Sequence, residues 1–136
     1  MSEEIFRISK SIERAKALLE MAEDRFIDIK RETKIYKIIE QYYEVIKETI
    51  TSLMYAKGLK TLSHRALGKF LEEKYKDNFK KEEFILINEL RRLRNDILYY
   101  GKKIPPVFLK NRETEIKQTI KKLLEIGRKE IKRTGY

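Results

Sequence analysis

The segment 91–101 holds the side chains whose types and spacing are best suited to chemistry. Its sequence, RRLRNDILYYG, places three arginines and an Asn-Asp pair ahead of two tyrosines. The planar guanidinium of arginine binds phosphate oxygens through two hydrogen bonds and stabilises charge that grows during phosphoryl transfer. Tyrosine rings can stack on nucleobases. This combination indicates an anionic ligand and favours a nucleic acid.

The segment lies late in a predicted helix that Gly101 ends. The inner face of that helix is predicted from apolar residues spaced four and three apart: Leu86, Leu90, Leu93, Ile97 and Tyr100. Arg91, Arg94, Asn95 and Tyr99 must then face water or a ligand. At 3.6 residues per turn Asn95 and Tyr99 share a face, whereas Arg94 and Tyr99 differ by about 140°. The long Arg94 side chain would have to extend around the helix for its guanidinium group to reach the face that holds Tyr99.

The pair Arg94-Asn95, followed a turn later by an aromatic residue near a helix end, resembles the signature of HEPN domains. That family's motif is an arginine, commonly followed by a polar residue, and then a histidine a few positions later. In this chain Tyr99 and Tyr100 occupy the positions where the histidine is expected. The resemblance implies an all-α, up-and-down bundle of about five helices that spans nearly the whole chain. It also implies a homodimer in which Arg94 of both copies flanks a scissile RNA phosphate, without a metal or a cofactor.

The absence of a histidine at the motif position removes the expected general base of an RNA-cleavage reaction. Histidine suits removal of a 2′-hydroxyl proton because its ordinary pKa is about 6.5, whereas that of tyrosine is about 10. Arg94 and Tyr99 are the predicted catalytic residues. RNA or phosphate binding is predicted for Arg91, Asn95, Tyr100, Lys102 and Lys103. The prediction is an HEPN-like dimeric RNA-binding protein of a toxin–antitoxin or defence system, with variant or weak metal-independent endoribonuclease activity.

Three alternatives stay open from the sequence. The first is a non-catalytic HEPN interaction module with a small nucleotidyltransferase antitoxin as partner. In such family pairs the partner modifies a tyrosine, whose register falls at Gly101, beside Tyr99 and Tyr100. The second is a helix-turn-helix over residues 62–84 that binds DNA, with Arg65, Lys69 and Lys74 outward, although residues 75–79 join its helices loosely. The third is structural: Arg91 and Arg92 pair with Glu20 or Glu40, and Tyr99 closes the bundle end.

The length and charge of the chain limit the range of functions it can have. The chain has 136 residues, which suits a single domain, and a formal net charge of +10. Residues 101–136 hold 11 Lys and Arg against 4 Glu, an excess of 7. A polyanion is the natural partner for such an excess, although a solvated lysine-rich surface is the commoner explanation.

Cysteine and histidine usage excludes several chemistries. The absence of cysteine removes disulfides and a cysteine nucleophile, and the single histidine, His64, removes the usual zinc ligand set. His64 is predicted at the first position of a short helix, pointing outward or bonding locally, with its basicity lowered by the helix N-terminus. The acidic N-terminus and the lack of a long apolar run predict a cytoplasmic protein with no membrane contact.

Apolar periodicity predicts four further helices and no strand. The first begins at Ile5 or later, with Ser9 or Ser11 as its cap, and the second begins at Ile35 and ends ahead of Gly58. A broad apolar face on the second helix predicts contact with two neighbours, or with one neighbour and a second subunit. Further predictions are a Ser63 cap with Leu62 packed on Leu67, a fourth helix from residues 76–78, an Asn111 cap and a close approach at Gly127.

Overall fold

The computed structural model describes residues 4–135, and residues 1–3 and 136 lie outside it. The described residues form five α-helices and a small two-stranded sheet, which confirms the predicted all-α bundle. In chain order they are β1 (Ile5–Arg7), α1 (Ile12–Asp28), a 3-10 turn (Ile29–Arg31), α2 (Ile35–Ala56), β2 (Leu59–Thr61), α3 (His64–Tyr75), α4 (Lys81–Tyr100) and α5 (Pro106–Gly135).

Helix α2 is the centre of the bundle. It contacts α1, α3, α4 and α5, and its buried side chains come from several faces of the helix. Large apolar residues that are almost fully buried include Ile39, Tyr42, Ile46, Ile50 and Leu53. The broad apolar face read from the sequence is therefore covered within one chain. The buried Ser52 hydroxyl donates to the Ala15 carbonyl oxygen at 2.5 Å, which links α2 to α1.

The segment at Ile5, where the sequence left the start of the first helix open, is a strand, so the expectation of no strands was wrong. β1 pairs antiparallel with β2, with Ile5 opposite Thr61. Ser11 then caps α1 by accepting a hydrogen bond from the Arg14 amide. Three-residue strands are too short to show alternation in sequence. Only the pairing with a distant segment defines them.

Glycines end two helices as the sequence predicts. Gly58 after α2 has φ of +74° and Gly101 after α4 has φ of +60°, both in the left-handed region. A β-carbon at Gly58 would also lie 2.8 Å from the Ile8 carbonyl oxygen. At Gly127 the close neighbour is the Leu19 side chain, 2.9 Å from an added β-carbon.

The later boundaries bring further corrections. Ser63 caps α3, as predicted, but Leu62 is 81% exposed and does not pack on Leu67. Helix α5 begins at Pro106, whose missing N–H costs nothing at a first helical position, so Asn111 is inside the helix. Helix α4 begins at Lys81, a few residues later than predicted.

On α4 the predicted inner stripe is correct only in part. Leu86 and Leu90 are buried, and Leu93 and Ile97 are packed against the core. Tyr100 is 82% exposed, so its assignment to the inner face was wrong. Within residues 4–135, no helix combines the length and the apolar character needed to cross a membrane.

Candidate anion-binding site

On helix α4, Arg91 and Arg94 are half-buried and held by neutral amides, whereas Arg92 is exposed. The Arg91 Nε and Nη2 atoms donate to Asn88 Oδ1 at 3.1 and 2.9 Å, and Arg94 Nη1 donates to Asn95 Oδ1 at 3.2 Å. Among residues 4–135 no carboxylate forms an ion pair with Arg91, Arg92 or Arg94. The predicted pairing of Arg91 and Arg92 with Glu20 or Glu40 is therefore wrong. The amides orient the two guanidinium groups and leave their charge uncompensated.

The single histidine of the chain lies beside these arginines. His64, at the start of α3, has its Nδ1 atom 3.0 Å from the Tyr43 hydroxyl of α2, and the two rings are stacked with centroids 5.7 Å apart. Burial lowers the pKa of His64, and Arg94 and Lys47 lower it further, whereas Glu44 opposes them. The predicted direction is confirmed, but the causes are burial and neighbouring charge. The predicted outward or local placement was wrong.

The tautomer of the imidazole is assigned from its hydrogen bond with Tyr43. Burial raises the pKa of Tyr43 to about 12, although Arg91 and Arg94 act against this, so its phenol stays protonated near neutral pH. The hydroxyl has no other hydrogen-bond partner in the described chain, so we assign its proton to the bond with Nδ1. The neutral imidazole then carries its own proton on Nε2. This atom is accessible and makes no hydrogen bond to residues 4–135.

A cavity of about 280 Å³, here called the cationic cavity, lies between α2, α3 and α4. Its floor is formed by buried aliphatic side chains: Ile46, Ile50, Leu67, Leu71 and Ile87. Five cationic side chains line it as well: Lys47, Arg65, Lys69, Lys81 and Arg91. Glu72 is its one lining carboxylate, and Tyr43, His64 and Asn88 add neutral polar groups. The cavity therefore joins an apolar interior to a positive lining.

The remaining predicted site residues lie at the end of α4. Tyr99 is 68% exposed and Tyr100 is 82% exposed. Lys102 forms an ion pair with Asp96 at 3.6 Å, and Lys102 and Lys103 line an open groove beside the start of α2. This groove shares no lining residue with the cationic cavity. We call Tyr99, Tyr100, Lys102 and Lys103 the tyrosine end.

The structure thus divides the predicted residues. Arg91, Arg94 and Asn95 lie together near the cationic cavity, and the other four form the tyrosine end. Sequence reasoning missed Tyr43 and Lys47 and misplaced His64. No spacing rule connects His64 to arginines about thirty positions later, since the link runs through the packing of three helices. The only available signal was Tyr43, a polar aromatic residue beside the buried stripe of α2.

Arg65 and Lys69 were the outward residues of the helix-turn-helix alternative. Both are exposed, as that alternative requires, and both also line the cationic cavity. Residues 76–80 connect α3 to α4, which is longer than the three- to four-residue turn of that motif. The length of this connection argues against the helix-turn-helix alternative.

Comparisons with known proteins give no relative from which a function can be transferred. No protein-family model matches this chain, and no curated protein or solved structure matches it. The likeness to HEPN domains and the homodimer stay predictions.

Proposed function

We propose that this protein is an HEPN-like RNA-binding protein whose phosphate-binding residues are Arg91, Arg94 and His64. The observation that carries the proposal is the convergence of two unpaired guanidinium groups with an imidazole from a different helix. Each supplies an N–H donor to an anion. Because these guanidinium and imidazole groups have no carboxylate partner within the protein, they are suited to bind the anion of a ligand.

A nucleic acid suits this surface better than a small inorganic anion. The chain carries a net charge of +10, so each phosphate contact would release counterions from the polymer. Asn95 and Tyr99 share a face of α4. An RNA strand bound at the arginines would follow this face to the exposed tyrosines. There Tyr99 and Tyr100 can stack on unpaired bases, and Lys102 and Lys103 can contact the next phosphates. Single-stranded RNA fits this arrangement.

The tautomer of His64 favours binding over cleavage. A base for the 2′-hydroxyl needs a lone pair on the accessible nitrogen, but Nε2 carries a proton when Tyr43 donates to Nδ1. Nε2 is then a donor in both the neutral and the charged form. In the HEPN-like dimer Arg94 of each copy would flank one phosphate, and any metal-independent cleavage there would be weak.

Fluorescence anisotropy with a labelled single-stranded RNA of mixed sequence tests the proposal. The double variant Arg91→Ala/Arg94→Ala should bind much more weakly. The slope of the logarithm of its binding constant against the logarithm of the salt concentration should become less steep by about 1.4, since each lost phosphate contact removes about 0.7 from that slope for single strands. The matched control is Lys129→Ala/Arg133→Ala, which removes two cations of α5 that pair with Glu125 and Glu130. Equal losses in both variants would reduce the proposal to general charge attraction.

Cleavage and dimerisation are measured separately. Mixed RNA is incubated with the native chain and with Arg94→Ala, and equal cleavage by both would remove Arg94 from a catalytic role. Solution mass by light scattering tests the dimer. A monomer at high protein concentration could not build a site from two copies of Arg94.

A second candidate function is favoured by the exposure of Tyr99 and Tyr100. Both hydroxyl-bearing rings stand largely free of the bundle, as a residue modified by a partner enzyme must. In this case the protein is a non-catalytic interaction module of a small nucleotidyltransferase. Mass spectrometry of the protein isolated from its host would show a nucleotide adduct on one of these tyrosines. An unmodified protein that binds RNA through Arg91 and Arg94 would favour the first function.

A further inference from the structure

The cationic cavity has an interior that RNA phosphate contacts do not use. Its floor residues Ile46, Ile50 and Leu71 are at most 1% exposed, and its buried lining side chains are aliphatic except for Tyr43, whose hydroxyl is bonded to His64. The floor therefore offers van der Waals contact and no hydrogen-bond partner. A ligand that fills it must present hydrocarbon, because polar edges buried there would stay unsatisfied.

The lining of the same cavity determines the charge of that ligand. Lys47, Arg65, Lys69, Lys81 and Arg91 face one lining carboxylate, Glu72. Nε2 of His64 and the Asn88 amide add donors without charge. A neutral hydrocarbon would leave this excess of positive charge uncompensated, whereas an anionic head would compensate it.

The volume of the cavity limits the size of the hydrocarbon body. Apolar cavities of roughly 150 Å³ hold one benzene ring. The cationic cavity, at about 280 Å³, has nearly twice that volume. A body of about two fused rings, or an alkyl chain of equal volume, therefore fits.

We propose that the cationic cavity binds a small amphipathic carboxylate, with its hydrocarbon body on the aliphatic floor and its head among Lys47, His64 and Arg91. The convergence of an apolar floor and a cationic lining in one cavity carries this assignment. The site does not depend on RNA binding. RNA bound at Arg91 and the carboxylate would compete for that residue.

Gly68 provides a variant that fills the cavity with little strain. It lines the cavity within α3, and a β-carbon added there meets no atom within 4 Å. Gly68→Leu should therefore extend a side chain into the space for the ligand body. Gly68→Ala is the matched control, because it removes the same glycine from the helix and adds only a methyl group.

The probe is naphthalene-2-carboxylate, titrated into the full chain while the ring signals of His64 are followed by NMR. The chain has one histidine, so these signals are unambiguous. We expect saturable shifts, binding at least about tenfold weaker in Gly68→Leu because the body is sterically excluded, and nearly native binding in Gly68→Ala. The neutral analogue 2-naphthylmethanol should bind about fivefold more weakly, since it lacks the attraction to the cations.

Four outcomes would overturn the proposal. Equal binding by native protein and folded Gly68→Leu would show that the body lies elsewhere, and equal binding of the carboxylate and the alcohol would remove the role of charge. Tighter binding of adenosine 5′-monophosphate than of the naphthoate would show that the cavity prefers a nucleobase to a hydrocarbon body. If Gly68→Leu does not fold, nuclear Overhauser contacts between the naphthalene protons and the Leu67 and Leu71 methyl groups of the native chain decide the question. Their absence in the saturated complex contradicts the site.

Discussion

The second half of helix α4 and the residues that follow it hold two groups of candidate ligand-binding side chains in different surroundings. In the first group, Arg91 and Arg94 are half-buried, bonded to amides and placed beside His64 of another helix. At the tyrosine end, Tyr99 and Tyr100 are largely exposed. Side chains already ordered by their neighbours lose less entropy when a ligand binds. Affinity should therefore come mainly from Arg91 and Arg94, and the tyrosine end should add stacking to a strand that the arginines already bind.

The largest expected difference is in stability. Leu90→Ala removes a buried side chain of α4 and should lower the free energy of unfolding by about 3 kcal/mol through lost burial and the cavity it leaves. Tyr100→Ala, on the same helix, should change it by less than about 0.5 kcal/mol because the ring is in water. Urea denaturation followed by circular dichroism measures both. Similar losses would show that the tyrosine end is packed.

The next difference is in RNA affinity. Arg91→Ala/Arg94→Ala should weaken binding by about 100-fold, if each charge-assisted hydrogen bond contributes about 1.5 kcal/mol. Lys102→Ala/Lys103→Ala removes the same charge from exposed positions, one of them already paired with Asp96, and should cost only a few-fold. Anisotropy at one salt concentration compares them. If the lysine variant loses more, the tyrosine end is the principal contact.

A smaller effect is expected from the tyrosine hydroxyls. Tyr43→Phe leaves His64 Nδ1 without its donor and should reduce stability by about 1 kcal/mol. Tyr99→Phe removes an exposed hydroxyl and should have almost no effect on stability. Thermal unfolding distinguishes them, and the Tyr43 variant should also change the His64 ring signals. Unchanged signals would contradict the assigned tautomer.

The smallest effect is the pH dependence that His64 contributes. Its pKa in the folded protein is lowered from 6.5, so the unfolded chain binds this proton at higher pH than the folded one. The native protein should lose a little stability as the pH falls from about 6.5 toward the lower folded pKa, and His64→Gln should lack that loss. Urea denaturation across this window measures it. A loss retained in His64→Gln would assign it to other groups.

Local signals in the sequence were reliable where the cause is local. Ser11 and Ser63 cap their helices through hydrogen bonds three residues away, and Gly58 and Gly101 take the left-handed conformation that ends a helix. The same reasoning was wrong at Asn111, since Pro106 can begin the helix earlier and nothing local forbids it. Tyr100 continues the apolar spacing, but the core has ended before it.

The site was only half predictable for the same reason. Arg91, Arg94 and Asn95 are neighbours on one helix, so spacing alone places them together. Their surroundings come from Tyr43, Lys47 and His64, which lie on α2 and α3. No alternation, cap or turn in the sequence encodes a contact between His64 and Tyr43.

By itself the sequence determined five amphipathic helices, most of their ends and a basic, cysteine-free chain with an arginine cluster on α4. These follow from periodicity and composition, which act over a few residues. The tertiary structure alone decided that the single histidine stands beside those arginines, that an aliphatic cavity opens under them, and that the two tyrosines are exposed. Those features depend on how α2, α3 and α4 pack, and packing depends on side-chain shapes that meet only after the chain has folded.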